Sequence, residues 1–166
     1  KPTKFKEDEI IMSAFSEGGY SKVKRIEDLP SATVATSIIG NNGLGQYTQI
    51  ELGKLLTGKI ATVTPFIGGY EEGFDGNSSV NDFETMLQLV YLNFTAPRKD
   101  DNSFKALINM YKASMANSAS DPRKAFSDTI GTWITNKNPR TVIMNLELLE
   151  KRVAEMEQFF LDSKHN

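Results

Sequence analysis

Cysteine is absent from all 166 residues, and histidine occurs once, at His165, next to the last residue. The first absence excludes a disulfide framework and a thiolate nucleophile, and is compatible with a reducing or an oxidising compartment. The second leaves little for nucleophilic or metal chemistry. A catalytic zinc site takes three protein ligands drawn from His, Cys and carboxylates. A Ser-His or Cys-His pair needs an ordered imidazole, which a chain terminus rarely offers; His165 is read as a solvated tail residue. No apolar run approaches the roughly 18 residues of a membrane span. Strong charge of one sign is missing too. The net charge is −2, and the basic cluster Lys22–Arg25 is too short to form an electrostatic footprint for nucleic acid.

What is present is ordinary for a folded domain: 39% hydrophobic and 24% charged residues, enough for one domain with a sizeable core. The pattern is α+β. Glu9–Phe15 reads as a strand ended by Gly18-Gly19. Pro30 suits the first turn of a short helix, which Gly40-Asn41-Asn42-Gly43 breaks. Gly40–Gly45 (GNNGLG) lacks the Lys and Ser/Thr of a phosphate loop and follows no strand, so it is read as a helix stop. Thr48 and Glu51 form a capping box for a helix expected to bury Ile50 and Leu55 or Leu56. Lys59–Ile67 alternates and is β-branched; with Tyr70–Gly76 it predicts a hairpin across Gly68-Gly69.

Downstream the pattern becomes helical. Asn81 and Glu84 suggest a second capping box, and Phe83, Met86, Leu87, Val90 and Phe94 recur at helical spacing until Pro97. A further helix carries Phe104, Leu107, Ile108, Tyr111 and Met115. Asp121 caps another with Pro122 at its first position and Phe126, Ile130, Trp133 and Ile134 as its face. The last repeats Leu146, Leu149, Val153, Met156 and Phe160. Asp75-Gly76-Asn77 is read as a turn, because Val80 and Met86 stand where a calcium loop needs Gly and Glu. Asp100-Asp101 suits a helix N-terminus. Asn77-Ser78-Ser79 and Asn93-Phe94-Thr95 fit the glycosylation sequon, the second on a predicted helix.

The run ETMLQLVYLNFTAPRKD, from Glu84 to Asp100, resembles the pitrilysin/insulinase family of zinc metallopeptidases. The specific likeness is to the domain opening the second half of the large bacterial periplasmic-type members. It extends through FSEGG at Phe15–Gly19, AFSDTI at Ala125–Ile130 and NPR at Asn138–Arg140. The resemblance implies an antiparallel sheet packed on one face by several helices, and a chain (residues 1–166) that is a single domain cut from a longer polypeptide, ending before a last sheet strand. It also implies periplasmic or secreted location, a signal sequence lying upstream.

The family's H-x-x-E-H places two zinc-binding His and a general-base Glu on one helix. The matching helix here is SATVATSIIGNNG, and no His or acidic residue lies between Leu29 and Ile50. The place of the third ligand, counted back from Asp121-Pro122, falls near Ala113 and Ser114. The resemblance therefore implies a catalytically silent copy with no cofactor of its own, the zinc being held in another domain. Its partners would be the other domains of the same polypeptide and, along the strand residues Ala61, Thr62, Val63 and Thr64, a peptide substrate, unless that strand is an ordinary sheet strand of the chamber wall, the favoured reading for a silent copy. The alternative is an interaction module whose whole protein has lost catalysis. An incomplete sheet of three or four strands would also expose an edge open to self-association. Purified, dialysed protein without a His tag is expected to carry no stoichiometric zinc on elemental analysis; a tight one-to-one zinc would overturn the alignment of the silent helix.

Overall fold

The computed structural model describes residues 6–118, 120–141 and 145–152. Its elements run β1 (Glu9–Glu17), α1 (Leu29–Asn42), α2 (Gln49–Leu55), β2 (Ala61–Ile67), β3 (Glu71–Ser79), α3 (Phe83–Thr95), α4 (Asp101–Ser118) and α5 (Pro122–Ile134). The strands form one antiparallel sheet in the order β1-β3-β2, packed against helix, so the fold is α+β. The described residues fall into two compact units. One comprises 6–22 with 36–100, the other 23–35 with the described part of 101–166.

The first unit is built on β3. Its central position follows from the Gly68-Gly69 hairpin, which folds β3 back on β2, where the Gly68 amide donates to the Glu71 carbonyl at 2.8 Å. A 3₁₀ turn at Gly19–Lys22 then ties β1 to the same hairpin through Gly18 N to Tyr70 O (2.7 Å) and Tyr20 N to Gly68 O (2.9 Å). Strand alternation sends Ile10, Met12, Ala61 and Val63 to one face, where they meet Met86, Leu89 and Leu92 of α3 and Leu52 and Leu56 beside them. On the other face Ile11, Phe15, Thr62 and Thr64 are exposed.

Asp75-Gly76-Asn77 lies in the middle of β3, not in a turn. The reason is packing. A Cβ on Gly76 would stand 2.9 Å from Met12 Cε and 3.1 Å from Met86 Sδ, so the missing side chain is the space α3 uses. Asp75 is held there by the Ser13 hydroxyl at 3.0 Å. At the end of α1, Gly43 has φ +82°, and a Cβ would fall 2.2 Å from the Tyr47 carbonyl oxygen. The helix thus runs on through Gly40, Asn41 and Asn42, which were expected to break it, and stops only at Gly43, a left-handed glycine cap.

The Thr48–Glu51 capping box forms in full. The one expected at Asn81 does not: α3 begins at Phe83 with Asp82 at the N-cap position, whose side chain makes no cap bond. Packing faces shift as well. In α3 the buried residues are Met86 and Leu89, while Phe83, Leu87 and Phe94 of the predicted stripe are exposed. In α2, Ile50 and Leu55 are exposed, and Leu52 with Leu56 packs inward. Both helices carry apolar residues on more than one face, so periodicity did not single out the sheet-facing one.

In the second unit Leu29, Ala32 and Val34 of α1 and Phe104, Leu107, Ile108 and Leu149 are buried. Asp121 caps α5, its Oδ1 accepting the Arg123 amide at 2.9 Å, with Pro122 at the first position. The expected α5 face of Phe126, Ile130, Trp133 and Ile134 is exposed, because nothing among the described residues covers it. Val153, Met156 and Phe160 of the last predicted stripe, and His165, lie outside the described residues.

Met86→Ala is expected to cost about 2–5 kcal/mol by chemical denaturation, the range for truncating a buried Met. Leu87→Ala, one residue on but exposed, is expected to stay within about 1 kcal/mol. Equal losses would return α3 to the face that spacing alone suggested.

Candidate functional site

Among the described residues β2 is an edge strand, and its hydrogen-bonding parity can be read from the ladder ends. Ser79 N donates to Ile60 O at one end and Gly68 N to Glu71 O at the other, in the register Ala61↔Ser78. Antiparallel pairs alternate, so Thr62, Thr64 and Phe66 spend their amides and carbonyls on β3. Ala61, Val63, Pro65 and Ile67 direct theirs away from the sheet, and Pro65 has no N–H to offer. The proline is tolerated because its missing donor falls on the free side.

Against β2 lies a cleft of about 270 Å³. One wall is Ala61–Pro65; the others are Leu44, Gln49, Leu52 and Leu56, then Ile39, Gly40 and Gly43 around the end of α1, and Leu89 and Asn93 of α3. Its lining contains, among the described residues, no His, Cys, Asp, Glu, Lys or Arg. Among the described residues no three His, Cys, Asp or Glu side chains are grouped as a metal would need. A second, more open cavity of about 420 Å³ crosses the same sheet face between Ala14, Pro65, Phe74, Phe94 and Ile39, with Glu72 in its lining. Phe74 and Phe94 meet there edge to face, centroids 4.8 Å apart.

The strand residues Ala61, Thr62, Val63 and Thr64 thus share the cleft wall, but in two roles. Ala61 and Val63 turn side chains into the core and backbone groups outward; Thr62 and Thr64 do the reverse. Ala113 and Ser114 lie on α4, both exposed. Asn77 is in mid-strand with its amide on Glu9, and Asn93 donates to Leu89 O at 2.8 Å inside α3.

Sequence reasoning passed over Asp82, which fixes the start of β2. Its Oδ2 accepts the Ile60 amide (2.9 Å) and the Ser79 hydroxyl (2.7 Å), and Lys59 Nζ stands 3.2 Å from Oδ1. Backbone donation from Ile60, then the Ser79 hydroxyl and Lys59, hold the Asp82 carboxyl below its ordinary value of 3.8. A serine three residues before an aspartate at a helix start was the available signal. On the far side of the cleft, the capping box holds α2, and Arg98 Nη1 reaches the Gln46 carbonyl at 3.3 Å.

No known family model matches the sequence, and neither does any curated protein. Solved structures do. The crystal structure of the periplasmic protease PqqL from Escherichia coli matches 92% of this chain with a TM-score of 0.71 at 16% identity. A mutant of the ferredoxin protease FusC in complex with Arabidopsis ferredoxin matches 90%, with a TM-score of 0.68 at 14% identity. The fold is peptidase-like. The chain spans only 17% of either of these proteins.

A carboxylate stabilised in its ionised form contributes stability that is complete above the unfolded value and is lost as pH falls through the folded one. Asp82→Asn is therefore expected to lower the melting temperature at pH 7. The gap from the wild type should shrink steadily below pH 3.8. A gap independent of pH would mean that the Asp82 charge does not hold β2.

Proposed function

We propose that this chain is a non-catalytic wall of a peptide-binding chamber, part of a pitrilysin-type zinc peptidase whose metal and catalytic residues lie in another domain. One observation carries the reading. In a peptidase-like fold, the cleft beside an edge strand is lined, among the described residues, without a single ionisable side chain. Hydrolysis of a peptide needs an activated water and a group to take its proton, and such a lining supplies neither.

What the cleft does offer is a place for an extended peptide. The outward amides and carbonyls of Ala61 and Val63 pair with a peptide backbone by strand addition. Leu52, Leu56 and Leu44 provide apolar surface below for alternate side chains. Pro65 interrupts the pairing, so a bound strand is gripped at the Ala61–Val63 end and more loosely beyond it. Specificity would then follow apolar side-chain spacing rather than charge. Zinc would be held by the catalytic domain, and the remaining domains of the polypeptide would close the chamber. A periplasmic location accords with PqqL being a periplasmic protease.

The test is a titration of short, extended apolar peptides followed by amide chemical shifts. Changes are expected at Ala61 and Val63, with no cleavage product. Val63→Pro, which removes an outward donor and leaves the β3 ladder intact, should weaken binding several-fold. Peptides that bind equally well to this variant would remove β2 as the site, and chelator-resistant turnover would remove the non-catalytic reading.

A further inference from the structure

The two cavities adjoin. Ile39 and Pro65 line both, so a peptide laid along β2 passes from the apolar cleft to the second cavity at Pro65. The walls of the second come from the sheet on one side and from Thr36, Ile39 and Phe94 on the other. It belongs to the packing of sheet and helices within this unit, not to an unpaired edge. Among the described residues its lining holds one ionisable group, the half-buried Glu72. Local sequence holds that carboxylate in place. Gly18 leaves it room, since a Cβ there would stand 3.1 Å from Glu72 Cδ, and the Gly19 amide donates to Oε2 at 3.3 Å. Among the described residues no Lys or Arg pairs with Glu72, and Oε1 makes no hydrogen bond. A carboxylate drawn partly out of water beside two phenylalanine rings is poorly compensated until a cation meets it.

We propose that this cavity selects a basic side chain, arginine or lysine, on the peptide that β2 binds. The inference rests on the peptide-binding reading above, and adds one charged subsite to a cleft that otherwise reads apolar spacing. The register sets the reach required. Pro65 lies opposite Phe74, and Ile67 opposite Glu72. Neighbouring strands lie about 4.8 Å apart, so a chain added outside β2 has its backbone about 10 Å from that of Glu72. Only a long side chain crosses β2 to meet a carboxylate on the strand beyond. Arginine and lysine do so with their methylenes over Pro65, which leaves the cationic head among the Phe74 and Phe94 rings and the Glu72 oxygens. Charge and place are complementary: where Pro65 denies the peptide a backbone donor, an ion pair supplies the hold. A glutamate at the same peptide position meets only a like charge.

The test uses a host peptide of alternating valine and threonine with one arginine moved stepwise along it, and norleucine or glutamate as controls at each position. At one position arginine should bind about tenfold more tightly than norleucine, the size of one charge-assisted contact, and glutamate more weakly than either. Amide shifts should then reach Gly18 and Gly19 as well as Ala61 and Val63. Glu72→Gln, which keeps an acceptor for the Gly19 amide, should erase the arginine gain and leave the norleucine peptide's affinity unchanged. Arginine and norleucine peptides that bind equally overturn the charged subsite while the β2 cleft stands. If no peptide binds, the cleft reading falls and the subsite with it. An arginine gain that survives Glu72→Gln, or a variant that weakens both peptides alike, also overturns the proposal, the second because Glu72 would then only brace the Gly19 turn. So does a gain present in this chain and absent from the longer polypeptide, whose own residues would then fill the cavity.

Discussion

The first unit rests on one contact, the Met86 side chain set against the bare backbone of Gly76. A residue with a Cβ at the middle of β3 would hold α3 off the sheet, and Met12 would lose its place on the same spot. Because interiors pack at crystal-like density, the separation of helix and sheet is decided by such single positions. From that contact the rest is constrained. α3 lies across β2 and β3, its first residues reach the start of β2 through Asp82, and its last turn carries Phe94 onto Phe74. The cleft along β2 is the space left over between this stack, the end of α1 at Gly43 and the short helix capped at Thr48.

The two sheet edges share a backbone and differ in everything that governs what meets them. β2 turns its small and apolar side chains inward, is shadowed by a cleft, and lacks one donor. β1 turns apolar side chains outward beside a row of backbone groups without proline, the last of which, the Glu17 carbonyl, accepts from the Lys22 ammonium. Edge strands left unguarded are rare in isolated domains, because they recruit other chains.

Local chemistry was readable wherever a single side chain meets the backbone within a few residues. Thr48 with Glu51, Asp121 with Pro122 and the Gly68-Gly69 hairpin all stood in the sequence as they stand in the fold. What was not readable were choices made between distant residues. Asn81 and Glu84 have the spacing of a capping box, yet Ser79 and Asp82 take that corner because Ile60, 22 positions from Asp82, needs an acceptor. Gly76 looked like a turn because its purpose, room for Met12 and Met86, belongs to two other elements. The stripes of α2 and α3 were ambiguous for a related reason: hydrophobic spacing announces a helix, not which of two apolar sides its neighbour will cover. The cleft itself was visible only in outline. The strand Ala61–Thr64 was marked, but its division into alternating backbone and side-chain roles required the register.

The exposed face of α5 has an optical consequence. Trp133 is the chain's only tryptophan, 67% exposed, with the Lys137 ammonium 4.6 Å from its ring centroid. Indole emission therefore reports on the second unit alone, red-shifted by water from the outset and sensitive to whatever settles over that helix. Denaturation followed at this wavelength is blind to the sheet. Circular dichroism sees both units, so a mismatch between the two signals would measure how independently the units melt.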